Sequence, residues 1–284
     1  MKKTIRKAAV CICACVFLGS SAMVGYQHYQ YRLGETIYNE AEALAGVPDL
    51  DAIEAAQKAP ASVLTRIEEP QVPAAQIPAE QEETPEEATE TVWTDPYADA
   101  LAAMDFAALQ EVNSEVLGWI LISGTGISYP LLQAEDNEKY LNTTWRGSRS
   151  SVGAIFMECR NSADLSDDNT IIYGHRLRNG AMFGSLKNYA NQSYWIQHPD
   201  IYITDEEGCK TYTIFAAYEA GVSDETFRLS FTKEGIKQEF LDFCTAQSVI
   251  ETGIEPTEND RILTLSTCTG RGYETRWVVQ AVLR

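Results

Sequence analysis

Three side chains have the types and the placement for nucleophilic chemistry. Cys268 closes the apolar run Ile262-Leu263-Thr264-Leu265-Ser266-Thr267, and Arg276 opens the next one, Arg276-Trp277-Val278-Val279. His175 follows the equally apolar Thr170-Ile171-Ile172-Tyr173-Gly174. Each stands at the end or start of a strand-like run, a rim position where side chains meet solvent and substrate. A thiol attacks a carbonyl as its thiolate, which a neighbouring imidazolium or guanidinium favours. A permanent cation also stabilises the oxyanion that forms when an acyl carbon becomes tetrahedral. The set therefore has the parts of acyl transfer: nucleophile, acid/base and oxyanion clamp. Residue types alone leave a second reading open, a surface-anchored binding module in which Cys268 is an inert buried thiol.

Other candidates for these roles fit less well. His198, in Gln197-His198-Pro199-Asp200, occupies an ordinary turn. Arg271 lies between Gly270 and Gly272 in the loop TGRGYET and reads as an exposed turn, so Arg276 is the preferred clamp. Of the seven cysteines, Cys11, Cys13 and Cys15 belong to an apolar N-terminal stretch. Cys159, Cys209, Cys244 and Cys268 are far apart, with no C-x-x-C pair that would hold zinc. No acidic cluster is spaced for calcium, so neither a metal nor a cofactor is expected.

The elements that must position these residues are short and β-prone. WILIS, ISYPLLQ, VGAIFM, NTIIYG, DIYITD, KTYTIFAAYEA, RILTLST and TRWVVQAVL alternate with turn residues. Before them, DPYADALAAMDFAALQEVNSEVLGW carries apolar residues at helical spacing and predicts one or two short helices. Two helical insertions stand out, Met182 to Tyr189 and Thr232 to Val249. Many short strands with helices on the connections predict a mainly β fold, a closed or nearly closed barrel, rather than a βαβ sheet.

The remaining sequence says where such a domain would work. The net charge of −19 combines a basic N-terminus with an acidic remainder, which argues against a nucleic-acid partner. Residues 1–7 are a basic tail and 8–26 an apolar stretch near bilayer-spanning length, which predicts a transmembrane signal-anchor with the basic end inside. Ser20-Ser21-Ala22 offers a cleavage site, but the apolar run continues past it through Met23-Val24. Residues 27–95 are Ala-, Glu- and Pro-rich and predict an extended extracellular stalk whose first part, Glu35 to about Ala59, could be helical. Residues 96–284 are expected to form the globular domain that carries the three candidates.

Ordered motifs across that domain resemble the sortases, and class B sortases in particular. Thr264-Leu265-Ser266-Thr267-Cys268 is similar to the family's TLxTC nucleophile motif, Arg276-Trp277-Val278-Val279 to its arginine strand, and Ile172-Tyr173-Gly174-His175 to its histidine segment, with Met182-Phe183 following. Gly118-Trp119-Ile120, Ile127-Ser128-Tyr129-Pro130, Asn137-Glu138-Lys139-Tyr140-Leu141 and Gly153-Ala154-Ile155-Phe156-Met157 resemble the class B pattern in the same order. The resemblance implies an eight-stranded sortase β-barrel with N-terminal helices and a helix between late strands. It also implies transpeptidation at the surface of a Gram-positive-type cell. Cys268 attacks the Thr carbonyl of a sorting signal to form a thioacyl enzyme, His175 protonates the departing amine, and Arg276 holds the oxyanion. An amine of a cell-wall precursor or pilin then resolves the intermediate. Asn137, Leu141, Ser266 and Thr267 are implied to line the substrate groove. A cysteine peptidase that passes the acyl group to water would use the same residues.

Overall fold

The computed structural model describes residues 2–50, 52–53, 95–233 and 235–284. Its β-prone runs become eight strands: β1 (Val116–Ile122), β2 (Ile127–Leu132), β3 (Ile155–Met157), β4 (Asn169–Tyr173), β5 (Asp200–Asp205), β6 (Gly208–Gly221), β7 (Ile262–Cys268) and β8 (Thr275–Leu283). They close into a barrel in the order β1-β2-β3-β4-β7-β8-β6-β5. The pairs β2/β3 and β4/β7 are parallel and the others antiparallel. The expected eight-stranded barrel is therefore what forms.

Period-two patterning sorts each strand's side chains. Leu263 and Leu265 of β7 and Val279 and Ala281 of β8 enter the main core with Ile172 of β4. Ile262 and Val278 face outward and are covered by Phe240 and Leu241 of a helix between β6 and β7. That helix spans Ile236–Gln247, inside the stretch whose periodicity predicts it. The other expected insertion, Met182 to Tyr189, is different: only a 3-10 turn forms, at Leu186–Ala190, followed by a short helix over Gln192–Gln197. Backbone donors there serve the barrel instead of a helix ladder. The Met182 amide donates to the Tyr129 hydroxyl (2.9 Å) and the Phe183 amide to the His175 carbonyl (3.0 Å), with Met182 at φ +54°.

Before the barrel, two short helices run over Pro96–Leu101 and Phe106–Val112, each N-capped by an aspartate. The Asp95 carboxylate accepts from the Tyr97 amide, and the Asp105 carboxylate from the Ala108 amide.

The N-terminal segment departs from a free stalk. One helix, α1, runs from Lys2 to Ala45, and its last turns pack on the barrel. Tyr38, Ala41 and Ala45, at helical spacing, are buried in the main core. Tyr38 donates its hydroxyl to the Gly153 carbonyl (2.6 Å), Trp145 its indole N–H to the Ile37 carbonyl (2.9 Å), and Ser150 its hydroxyl to Gln30 (3.0 Å). Composition hides this docking, because a single apolar stripe suffices for it in an otherwise acidic segment. Residues 54–94 of the expected stalk lie outside the described residues. Residues 8–26 lie within α1, and among the described residues no helix is long and apolar enough to cross a membrane.

Candidate active site

Strand register brings the three chemical candidates to one barrel end. In the parallel β4/β7 pair, Tyr173 lies opposite Ser266, so the residues two further on, His175 and Cys268, leave the sheet side by side. The Gly174 amide donates to the Ser266 carbonyl (3.2 Å), and the Thr267 hydroxyl donates to the Gly174 carbonyl (2.7 Å), which ties the two exits together. On the other side of β7, the antiparallel register places Arg276 directly opposite Cys268. Directly opposed residues project on the same face.

That face is the outer one. Even-numbered β7 residues carry Thr264, Ser266 and Cys268 outward, and Thr264 confirms the direction by donating to Asn169 of β4 (2.7 Å) and accepting from Gln280 of β8 (3.1 Å). Ser266 is almost fully buried there, and its hydroxyl has no protein partner. Thr267 points to the opposite face and spends its hydroxyl on Gly174.

His175 is oriented by backbone. Its Nε2 lies 2.6 Å from the Leu141 carbonyl. A carbonyl only accepts, so Nε2 carries a hydrogen, which leaves Nδ1 as the ring nitrogen free to exchange a proton. Gly153 supports this pose by lacking a side chain: a Cβ there would lie 2.7 Å from the His175 ring, at a backbone φ of +66° that glycine tolerates. Leu141 therefore meets the site through its carbonyl, while its side chain is exposed.

The two arginines of the β7–β8 loop diverge. Arg276 donates through Nη1 to the carbonyls of Tyr273 (2.9 Å) and Thr275 (3.0 Å), which leaves Nε and Nη2 unused. Arg271 pairs with Glu219, which stands opposite Trp277 and so on the face away from Cys268. A third guanidinium, that of Arg176, bonds the Thr269 carbonyl and ties the histidine loop to the cysteine loop.

The remaining described thiols of the domain are held protonated. Burial pushes Cys209 up to about 12, with Asp95 and Asp205 adding to it, and burial pushes Cys244 up to about 11. Cys159 is raised by its own desolvation and by the adjacent Glu158 carboxylate. His198 is a structural residue, with Nδ1 2.8 Å from the Ser123 carbonyl and its ring against Tyr194. A cleft of about 660 Å³ between α1 and the β1–β2 turn is lined by none of the three candidates. The thiol instead lies, partly exposed, at the end of β7.

Asn137 is not free to meet a ligand with its whole amide. Its Nδ2 donates to Glu158 (2.7 Å), and its Oδ1 accepts from the Cys159 amide (2.8 Å). Tyr173 donates its hydroxyl to the same carboxylate (3.0 Å). Sequence reading misses both partners. Tyr173 was reachable, since it lies two residues before His175 in a period-two run, whereas Glu158 looks like a plain strand exit after Ile155-Phe156-Met157.

Comparison with known proteins adds the family. A sortase-domain family profile matches residues 120–284. The chain is 36% identical over 170 residues to Sortase B of Staphylococcus aureus (strain NCTC 8325 / PS 47), covering 60% of this chain and 70% of that protein. It is also 36% identical over 179 residues to Sortase B of Listeria monocytogenes serovar 1/2a (strain ATCC BAA-679 / EGD-e), covering 62% and 72%. The structure of a Staphylococcus aureus sortase B–substrate complex superimposes with a TM-score of 0.60 at 35% identity, over 63% of this chain and 84% of that one.

Proposed function

Because the chain belongs to the sortase family and, within it, to class B, we infer that the Cys268, His175 and Arg276 end of its barrel is where acyl transfer takes place. The protein is a cysteine transpeptidase that cleaves sorting signals and joins them to amine nucleophiles. The observation that carries the residue assignment is the register across β4, β7 and β8, which aligns an imidazole, a thiol and a guanidinium on neighbouring strand ends.

In this reading the Cys268 thiol gives its proton to His175 Nδ1 as Sγ adds to the scissile carbonyl, and Arg276 receives the developing oxyanion through Nε and Nη2. Collapse expels the amine, which takes its proton from His175, and leaves a thioester on Cys268. The incoming amine attacks the thioester and gives a proton to His175, which passes it to the departing Cys268 sulfur and so restores the enzyme. Ser266, on the thiol's own face with an unspent hydroxyl, supports a groove running along β4 and β7. Leu141 and Asn137 form the wall beside His175, and Thr267 acts by holding the Gly174 backbone.

Mass spectrometry of products from a sorting-signal peptide tests this reading. With a glycine-oligomer amine present, the ligated peptide is expected to dominate over the hydrolysed acid. Arg276→Ala is expected to lower kcat by about 10²- to 10³-fold, whereas Arg271→Ala stays within about threefold because its partner Glu219 lies on the other face. Hydrolysis that ignores added amine, or the reverse order of the arginines, would overturn it.

We extend the proposal to the N-terminus: residues 8–26 anchor the enzyme in the membrane once, with residues 1–7 inside and the barrel at the cell surface. Support comes from Lys2, Lys3, Arg6 and Lys7 preceding the apolar stretch, and from Val16, Phe17, Leu18, Met23 and Val24 exposed on α1. The full chain is expected in the membrane fraction of expressing cells, and a chain beginning at residue 27 in the soluble fraction. Full-length protein that stays soluble would remove the anchor from the account.

A further inference from the structure

We propose that Glu158 is a positioning residue of the acyl-donor groove, whose buried carboxylate orients Asn137 and Tyr173 to receive the sorting-signal peptide. The proposal rests on Cys268, His175 and Arg276 being the reacting set.

The Glu158 side chain is 1% exposed, yet four N–H and O–H donors, besides the Cys159 thiol (3.6 Å from Oε1), converge on it. Oε2 accepts from Asn137 Nδ2 (2.7 Å) and from the Tyr173 hydroxyl (3.0 Å). Oε1 accepts from Arg160 Nε (2.7 Å) and, more weakly, from the Arg160 amide (3.4 Å). A second link closes the set, since the Cys159 amide donates to Asn137 Oδ1 (2.8 Å). Burial by itself raises the carboxyl, but Arg160, Tyr173 and Asn137 outweigh it and hold the group below its usual range, so it stays charged.

A buried carboxylate is a costly way to join two strands, because apolar packing of the same volume does as well or better. What a carboxylate does and packing cannot is dictate the direction of polar groups. Here those groups belong to both sides of the candidate groove. Tyr173 ends β4, opposite Ser266 and two residues before His175. Asn137 precedes the turn Lys139–Leu141, whose last carbonyl holds the His175 ring. With its hydroxyl spent on Glu158 and its ring against Phe156 (5.5 Å between centroids), Tyr173 is held on the same face of the sheet as Ser266 of β7. Asn137 has one amide hydrogen left after Glu158 takes the other, a donor suited to a carbonyl of an extended peptide. Glu158 therefore acts on the donor peptide, not on the amine acceptor or on the bond-making atoms.

The test is steady-state kinetics of the full chain in detergent, with a sorting-signal peptide and a glycine-oligomer acceptor varied separately. Glu158→Gln forces an amide N–H into a cluster of donors. It is expected to raise the donor KM about tenfold, with kcat within about threefold and the acceptor KM unmoved. Glu158→Asp, which keeps the charge, is expected to recover part of the donor KM. Tyr173→Phe, a variant that removes one oxygen and leaves the fold, is expected to raise the donor KM about threefold, and the Glu158→Gln effect should shrink below about twofold in that background combined with Asn137→Ala. An unchanged donor KM in Tyr173→Phe, an equal loss in donor and acceptor KM in Glu158→Gln, or additive effects in the combined variant would overturn the proposal. Cys268→Ala in the same assay separates the two levels: if it is inactive while these readings fail, only the role of Glu158 falls, and if it is active, the reacting set falls as well.

Discussion

Replacing Cys268 with alanine is expected to abolish acyl transfer, with kcat down by roughly 10⁴-fold or more, as when other covalent nucleophiles are removed. The size follows from what is lost: no other described thiol of the domain replaces it. Cys209 and Cys244 are buried and pushed up to about 12 and about 11, and Cys159 is held protonated beside Glu158. Cys268 is partly exposed at a strand end, so alanine leaves no core cavity, and the melting temperature is expected to shift little. The sharper readout is the intermediate. Wild-type enzyme mixed with donor peptide and no amine should carry the acyl mass on the peptide that contains Cys268, and the alanine variant should carry none. Acyl mass found on another residue would assign the nucleophile elsewhere.

His175→Ala is expected to cost about 10² to 10⁴ in kcat, and the loss should depend on the leaving group. In the first half-reaction the departing amine needs a proton, and His175 Nδ1 is the nitrogen available to carry it, since Nε2–H is committed to the Leu141 carbonyl. An ester analogue of the sorting signal releases an alcohol, which needs that proton less, so acylation by the variant should recover by at least about tenfold with the ester. Equal losses for amide and ester would mean that His175 serves mainly to position the thiol. An inactive but misfolded variant is told apart by its thermal melt, because the His175 carbonyl holds the Phe183 amide whatever the side chain.

The strand-forming runs, the helix over Ile236–Gln247 and the rim positions of Cys268 and His175 were legible in the chain because each depends on a local pattern. Alternating apolar residues mark β7 and β8, and glycine or polar residues mark their ends. Legibility failed where the backbone spends its hydrogen bonds at a distance. Met182 to Tyr189 has helical spacing, but the Met182 and Phe183 amides are taken by the Tyr129 hydroxyl and the His175 carbonyl. Tyr38, Ala41 and Ala45 sit in an acidic segment that composition assigns to a stalk, yet one apolar stripe docks them on the barrel. Thr267 and Ser266 are neighbours of similar chemistry, and only the direction of β7 sends one to the Gly174 carbonyl and leaves the other, on the thiol's face, without a hydrogen-bond partner.

The amino-acid sequence by itself determined the chemical types at the strand ends, the barrel-forming pattern and the resemblance that named the reaction, because these rest on residue identity and periodicity within a few positions. The tertiary structure decided which groups meet. Closure of the barrel pairs β4 with β7, so that Thr267 bonds Gly174 across 93 positions and His175 comes level with Cys268. The two faces of β8 and β6 separate Arg276 from Arg271, and burial chooses Glu158 as the anchor for Asn137 and Tyr173. Register and burial are properties of the closed fold, set by the sum of many distant contacts, and no local pattern of residues encodes them.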